Sequence, residues 1–199
     1  MTTLSVAIAT FGDRATWEPL AARAVASAEV QTVPVEIVRH HLDDPHPTVC
    51  GRARNEAIRR SSGEWVAVLD ADDEWAPDFA EQVLESIAAH PDKIHAPAMS
   101  YFRNGKWDEP KMGIRRPIHK GCWVVVGGVI RRDDFDRIGG FREDLEWGED
   151  VALWLAAERA GLAFVEVPAA VYRIHWRDRS RKDHPQSNVL WNRMVMGRL

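Results

Sequence analysis

The stretch that decides the fold of this chain reads Gly63-Glu64-Trp65-Val66-Ala67-Val68-Leu69-Asp70-Ala71-Asp72-Asp73-Glu74-Trp75. Residues 65–69 form a continuous apolar run, which is the pattern of a strand buried on both faces of a parallel sheet. Four acids follow within five residues, namely Asp70, Asp72, Asp73 and Glu74. Carboxylates clustered at the end of a strand repel one another unless a cation lies among them. The stretch therefore predicts a divalent metal at a strand end, holding an anionic ligand such as a diphosphate.

Length and composition indicate an ordinary globular protein. The chain has 199 residues, of which 45% are hydrophobic and 28% charged, and this length can bury a large core in a single domain. The formal net charge of −4 gives no global attraction to nucleic acid or to an anionic membrane. No apolar run approaches the roughly 20 residues of a membrane-spanning helix, and residues 1–9 do not resemble a signal peptide. We therefore expect a cytoplasmic protein without integral membrane contact, in which Cys50 and Cys122 are reduced thiols.

The first half of the chain alternates between strand and helix patterns. Apolar runs at residues 4–9, 33–38 and 65–69 predict strands, and helical spacing at 17–28 and 51–60 predicts the helices between them. This β-α-β-α-β order favours a parallel sheet with right-handed crossovers. Such sheets bind ligands at the carboxyl ends of their strands, which is where the acid-rich stretch lies.

The second half is less regular. It predicts a helix at 80–88, strands at 94–102 and 123–131, a short helix at 133–138, a helix ending at Gly161, and two strands at 162–167 and 170–174 separated by Pro168. Residues 103–121 show no periodicity, and their six basic residues against two acids give a local charge of about +4. We expect a long mobile loop there that carries function.

Five short motifs resemble those of family 2 glycosyltransferases and occur in the same order. They are Thr10-Phe11-Gly12, Ala53-Arg54-Asn55, Gly63 to Asp73, Ile138-Gly139-Gly140-Phe141 and Gly148-Glu149-Asp150. The resemblance covers about residues 3–175 and implies a GT-A fold, which is a single α/β, Rossmann-like domain. In it a mostly parallel central sheet is flanked by helices and joined by a smaller mixed sheet on the acceptor side. It further implies a nucleotide-sugar donor, a divalent metal, Mn²⁺ or Mg²⁺, and inversion at the anomeric carbon.

The resemblance also divides the chain by role. Residues 1–199 are expected to form one domain, with a donor-binding half at about 1–102, an acceptor and catalytic half at about 103–175, and a basic tail at 176–199. The donor is expected to be a UDP-sugar, with another nucleotide-diphosphate sugar as the alternative. Its departing diphosphate must have its developing charge neutralised, which a carboxylate-bound cation does as a Lewis acid.

The resemblance assigns metal binding to the acid-rich stretch. Asp72 resembles the metal ligand of the family's Asp-x-Asp motif, and Asp70 is expected to contact the ribose or a metal-bound water. His175 resembles a histidine that supplies a further metal contact in some members, although a lone histidine after a strand is more often structural. An alternative interpretation of the acids is a helix-capping cluster ahead of Pro77.

Four further positions are assigned to the nucleoside and one to the phosphates. Thr10 and Phe11 end the first strand and are expected to contact the nucleoside. Asp43 or Asp44 matches the acid that accepts from the uracil imide, but the family usually has Gly-Ser after this acid and this chain has Asp44-Pro45. Arg54, with its neighbour Asn55, either reaches the donor phosphates or holds the loop.

The second acid pair supplies the candidate base. Inversion requires a base on the face of the sugar opposite the leaving group, which takes the proton of the attacking hydroxyl. The resemblance assigns this role to Asp150, and Glu149 is expected to orient the acceptor. Acids in the first turn of a helix also stabilise it by about 0.3–1 kcal/mol each without any catalysis.

The sequence says least about the acceptor. Six residues of the second half are candidates for its floor, namely Trp107, Trp123, Gly127, Gly128, Phe141 and Trp147. The basic loop at 103–120 suggests either an anionic acceptor or a lid over the diphosphate. A glycan, a protein side chain and a modified nucleic acid are all compatible with the sequence, and the oligomeric state is left open.

Three other functions fit parts of the pattern. Asp70-Ala71-Asp72 imitates the Asp-x-Asp of haloacid-dehalogenase-type phosphatases, in which the motif ends the first strand rather than a later one. A sugar-nucleotide-forming nucleotidyltransferase has a similar fold, but Phe11-Gly12-Asp13-Arg14 is a poor version of its glycine-rich loop. A non-catalytic nucleotide- or carbohydrate-binding module is the third alternative, and the presence of both acid pairs speaks against it.

Overall fold

The computed structural model describes residues 2–46 and 48–176, which form strands and helices in a mixed order. In chain order the elements are β1 (Leu4–Phe11), α1 (Arg14–Glu29), β2 (Glu36–Leu42), α2 (Val49–Arg59), β3 (Trp65–Val68), β4 (Glu74–Trp75), α3 (Phe79–Ala89), β5 (Lys93–Arg103), β6 (Lys106–Trp107), β7 (Ile130–Arg131), α4 (Arg132–Arg137), α5 (Glu149–Arg159) and β8 (Ala163–His175). A short 3-10 helix, Ile118–Lys120, lies between β6 and β7. Of the predicted basic tail at 176–199, residues 177–199 lie outside the described residues.

The first sheet is built around β1. Its strands are hydrogen-bonded in the order β2-β1-β3-β7, with β2 and β3 parallel to β1 and β7 antiparallel to β3. All four residues of β3 are buried, as the apolar run predicted. The predicted β-α-β-α-β unit and its parallel sheet are therefore confirmed. The carboxyl ends of β1, β2 and β3 lie side by side at one edge of this sheet.

The second strand lies farther along the chain than predicted. We expected it at residues 33–38, whereas β2 begins at Glu36 and its pairing with β1 continues to Leu42. The polar pair His40-His41 lies within the strand, opposite Ala9 and Thr10 of β1. Each ring also has a partner: the His40 ring lies 2.8 Å from Glu56 Oε2, and the His41 ring lies 2.8 Å from Thr10 Oγ1.

The second sheet is mixed, as predicted, and has the strand order β4-β8-β5-β6. β8 is one strand where two were expected, because Pro168 does not end it. The register runs Pro97↔Val167 and then Ala98↔Val171, so residues 168–170 form a bulge. A bulge accommodates proline since the residues it adds need no ladder hydrogen bonds. No helix among the described residues is long and apolar enough to cross a membrane.

The loop predicted at 103–121 is partly ordered. Asn104 and Gly105 have φ values of 52° and 78°, and they join β5 to β6 in a two-residue hairpin. Glu158 of α5 then holds the 3-10 helix, because its carboxylate accepts from the backbone N–H of Ile118 (2.6 Å) and lies 2.9 Å from the His119 ring. The strand expected at 123–131 is wrong for most of its length. Only Ile130–Arg131 forms a strand, Val129 adds an isolated antiparallel bridge to His95, and the residues before Val129 are irregular.

Candidate functional site

The acid-rich stretch turns back on itself directly after β3. The Leu69 N–H still donates to Ala7 O of β1 (3.0 Å), and the Asp73 N–H then donates to Asp70 O (3.0 Å), which closes a tight turn before β4. This turn brings together the carboxylates of Asp70, Asp72 and Asp73, each of which offers an oxygen within 4.8 Å of the others. The structure therefore places three acids at the carboxyl end of a central parallel strand.

The electrostatics of this turn fit a divalent cation. Burial, together with the charges of Asp70 and Asp72, raises the pKa of Asp73 to about 8. A carboxyl group in this position resists ionisation until positive charge reaches it, and hard divalent cations prefer ligands of this kind. Among the described residues, Asp70, Asp72 and Asp73 are thus the group that could hold Mn²⁺ or Mg²⁺.

Two residues that the sequence did not single out form hydrogen bonds with the backbone of the acid turn. The guanidinium of Arg23 in α1 donates to Asp72 O (2.6 Å). The hydroxyl of Tyr172 in β8 accepts from the Asp70 N–H (2.9 Å), and Tyr172 is fully buried. Gly127 is required beside this ring, since a Cβ there would lie 2.3 Å from a Tyr172 ring carbon. The backbone of the turn is therefore held by two other layers of the fold.

The ring of His175 lies next to the acid turn but faces a different acid. Its backbone N–H donates to Asp73 Oδ1 (3.0 Å), whereas its Nε2 lies 2.5 Å from Glu74 Oε1. The ring packs against Phe102 and Trp107 at centroid distances of 5.3 and 5.0 Å. His175 is thus adjacent to the three-acid group without being part of it, and its role as a metal ligand stays a prediction.

The second acid pair opens helix α5. Gly148 precedes it with φ 75°, a left-handed conformation that favours glycine. Glu149 is buried, and the half-buried Asp150 accepts from the Val151 N–H through Oδ1 (2.8 Å). Burial and the charge of Glu149 raise the pKa of Asp150 to about 6, against an opposing effect of Arg54. Asp150 is therefore a stronger base than an ordinary carboxylate and is still mostly ionised at neutral pH.

Arg54 joins the two acid groups. From helix α2 its Nη2 donates to Asp70 Oδ1 (2.6 Å), and its Nη1 donates to Glu149 Oε1. Burial opposes its charge, but the neighbouring acids, Asp70 first, raise the pKa of Arg54 well above its usual value. Cys50, one helical turn earlier, donates its thiol to the same Glu149 oxygen (3.3 Å). One guanidinium thus connects the acid turn after β3 to the start of α5.

Asn55 takes the second of its two predicted roles, since its side chain holds a loop. Its amide donates to Phe141 O (2.9 Å) and to Glu143 Oε1 (2.8 Å), and its Oδ1 accepts from the Phe141 N–H (2.9 Å). These contacts fix the segment that leads from α4 to α5.

The residues assigned to the nucleoside gather at the ends of β1 and β2. Thr10 Oγ1 lies 2.8 Å from the ring of His41, whose other nitrogen lies 3.2 Å from Asp43. Asp44 pairs with Arg52 at 3.1 Å, and the partly exposed ring of Phe11 lies 6.3 Å from that of Trp17. The fold thus brings Thr10, Phe11, Asp43 and Asp44 to the same edge of the sheet as the acid turn.

Comparison with known proteins decides the family. The family model described as glycosyl transferase family 2 matches residues 13–147. The chain belongs to glycosyltransferase family 2. The match ends three residues before Asp150, so the family model does not include this residue. No curated protein sequence matches the chain.

Solved structures confirm the GT-A fold of this family 2 chain. S. aureus TarS superimposes with a TM-score of 0.72 at 16% identity, covering 98% of this chain and 39% of the TarS chain. Residues 1–349 of TarS in complex with UDP-GlcNAc give a TM-score of 0.70 at 17% identity, covering 98% of this chain and 65% of that one. The same region in complex with UDP gives 0.67 at 16% identity, with coverages of 98% and 64%. This chain therefore spans less than two thirds of the length of these TarS chains.

The six residues predicted to line the acceptor differ in exposure. Trp107 and Trp147 are partly exposed and can contact a ligand. Trp123, Gly127, Gly128 and Phe141 are buried instead. Gly127 and Gly128 accommodate the rings of Tyr172 and Trp154, which explains the two glycines without a ligand.

Proposed function

We propose that this family 2 chain transfers a sugar from a nucleotide-diphosphate sugar to an acceptor hydroxyl with inversion, and that it requires Mn²⁺ or Mg²⁺. The observation that carries the proposal is the Arg54 side chain, which contacts both Asp70 of the acid turn and Glu149, the neighbour of Asp150. The side chain of Arg54 thereby links the proposed leaving-group site to the residue next to the candidate base. A sugar bound between them would face a cation site on one side and a carboxylate on the other.

The donor half of this proposal uses residues before position 103. Asp70 and Asp72, with Asp73 beside them, would hold the metal, which neutralises charge on the leaving diphosphate when bound. Thr10, Phe11 and Asp43 or Asp44 would contact the nucleoside. We take a UDP-sugar as the first donor to test because the similar TarS structures contain UDP and UDP-GlcNAc. His175 could add a metal contact through Nε2 by exchanging its present partner, Glu74.

The acceptor half uses Asp150. As the acceptor oxygen attacks the anomeric carbon, its proton passes to the carboxylate of Asp150, and the bond from that carbon to the diphosphate oxygen breaks with both electrons leaving on the diphosphate. A pKa of about 6 suits this task, because general bases work best when their pKa lies near the working pH. The partly exposed Trp107 and Trp147, with the basic loop at 103–120, would meet the acceptor, whether glycan, protein or modified nucleic acid.

The proposal is tested by donor binding and donor turnover. We expect UDP to raise the melting temperature of the full chain, and to do so far more in the presence of Mn²⁺ than in EDTA. A panel of UDP-sugars is then screened for UDP release, with water as the acceptor. If no nucleoside diphosphate gives a metal-dependent shift, the proposal is wrong.

The rate of transfer is expected to fall in acid with a midpoint near pH 6. Asp150 must be deprotonated to act as a base, so below the pKa of about 6 the rate should drop about tenfold per pH unit. An unshifted carboxyl, with a pKa of 3.8, would leave the rate nearly constant down to pH 5. The measurement is kcat/KM for UDP release between pH 4.5 and 8 at saturating Mn²⁺. A midpoint near 4 would contradict the assignment.

A further inference from the structure

We propose that Arg54 is a positioning residue that fixes the base helix α5 against the donor-site carboxylate Asp70, and that it does not bind the donor phosphates. Cys50 completes the same contact. The inference rests on the proposed function, because it concerns how the base of that reaction is placed. It also reassigns Glu149 from a group that orients the acceptor to a group that is itself held in place.

The geometry of the guanidinium carries this inference. Arg54 is buried at 7% exposure, and its two terminal nitrogens donate to two different carboxylates, Asp70 and Glu149. Asp70 follows β3, and Glu149 is the first residue of α5. The planar fork therefore sets the separation of two elements that meet nowhere else through side-chain ion pairs among the described residues. Both terminal nitrogens are committed before any diphosphate arrives.

Helix α2 presents several donors to the same segment. Cys50 and Arg54 are four residues apart, which places them on one face of the helix, and both donate to Glu149 Oε1. The next residue, Asn55, holds Phe141 and Glu143 in the loop that leads to α5. One helix thus fixes both the loop and the first residue of α5, and through them the position of Asp150.

The placement also controls the charge around the base. Among the described residues, the charged or titratable groups that act on Asp150 include Glu149 beside it, Arg54 from α2, Asp70 from the end of β3, and Cys122 from the loop before β7. Glu149 and Asp70 raise the pKa of Asp150, and Arg54 lowers it. Glu149 is buried, and its Oε1 accepts from both Arg54 and Cys50 of α2.

The first test replaces Arg54 by Lys, which keeps the charge but replaces the planar fork of two terminal nitrogens by a single ammonium nitrogen. We expect kcat for UDP release from UDP-GlcNAc, or from the best UDP-sugar of the panel, to fall about 100-fold, since a displacement of about 1 Å costs that much. The donor KM should change by less than about threefold, because no donor contact is lost. Arg59→Lys is the matched control on the same helix, where Arg59 is 60% exposed and pairs with Glu56 at 4.0 Å. A KM raised more than tenfold with kcat unchanged would make Arg54 a phosphate ligand instead.

A second readout separates positioning from mere stabilisation. Arg54→Lys leaves Glu149 or Asp70 without its partner, so the pKa of Asp150 should rise and the acid limb should move above pH 6. Glu149→Gln removes a repelling charge, so the limb should move below pH 6. Opposite shifts support the proposal. Limbs that stay at the wild-type value, or that move in the same direction, would overturn it.

The titration of Asp150 keeps the test independent of turnover. Carboxyl ¹³C NMR of the full chain, with Asp150→Asn for assignment, measures the same two shifts in the absence of donor. A wild type that releases no UDP from any UDP-sugar would contradict the proposed function, whereas the NMR shifts would still test the role of Arg54.

If Arg54→Lys does not fold, Cys50→Ala provides the milder variant. We expect it to lower kcat several-fold and Cys50→Ser, which retains a donor, to recover the loss; equal rates in both variants would remove Cys50 from the proposal.

Discussion

Asp150→Asn is expected to lower the rate of sugar transfer by about 10²–10⁴-fold, the usual contribution of a general base, while UDP still binds with Mn²⁺. The amide keeps the size of the side chain and an oxygen that can accept from the Val151 N–H, so the start of α5 is preserved. It lacks the ability to take the acceptor's proton. UDP release from a UDP-sugar measures the rate, and isothermal titration with UDP and Mn²⁺ measures the binding.

The matched control for this variant is Asp144→Asn. Asp144 lies in the loop before α5, is exposed and pairs with Arg142, so the same chemical change there should leave the rate within about twofold. Loss of UDP binding in Asp150→Asn would show that Asp150 belongs to the donor site. Full activity in Asp150→Asn would show that another group takes the proton.

The fold was predictable where the signal is local. The apolar run 65–69 and the acids that follow it are adjacent in sequence, so strand, turn and acid cluster could be recognised together. The alternation of strand and helix patterns before them predicted the parallel part of the first sheet, and the register confirms it.

Two of the errors in the second half have separate causes. Pro168 suggested a strand break, but a bulge removes the need for its missing N–H, and a bulge depends on the neighbouring strand β5. The hairpin at Asn104-Gly105 was missed although Asn-Gly is a strong local turn signal. The bulge at Pro168 could not be predicted from the sequence alone, whereas the hairpin at Asn104-Gly105 could.

The contacts that support the site could not be predicted, because they join distant parts of the chain. Tyr172 and Asp70 are 102 positions apart, Arg54 and Glu149 are 95 apart, and Arg23 and Asp72 are 49 apart. Periodicity reports which face of a helix is buried, but not which residue of another element that face meets. The sequence thus predicted the two acid groups, and only the structure showed the arginine that joins them.

Asp72→Ala is expected to abolish the metal-dependent part of UDP binding and to lower transfer by at least about 100-fold. Asp72 is one of three carboxylates whose oxygens lie within 4.8 Å of one another, and removing it leaves two ligands for a cation that takes six or more. The measurement is the shift in melting temperature caused by UDP, taken with Mn²⁺ and with EDTA. A shift that still depends on Mn²⁺ as in the wild type would remove Asp72 from the metal site.

The same variant also distinguishes a cation site from a helix-capping cluster. In the absence of metal, burial, together with the charges of Asp70 and Asp72, raises the pKa of Asp73 to about 8, and a raised carboxyl pKa destabilises the fold at neutral pH. Removal of Asp72 lowers the pKa of Asp73, so the variant in EDTA should melt at the wild-type temperature or above it. If the acids served to cap α3, the variant should instead lose about 1 kcal/mol. Asp78→Asn is the matched control, since Asp78 occupies the N-cap of α3 without a side-chain capping bond and should change neither stability nor metal response. A lower melting temperature for Asp72→Ala in EDTA would favour the structural interpretation of the acids, whereas an equal or higher one, with the metal response lost, requires that they hold a cation.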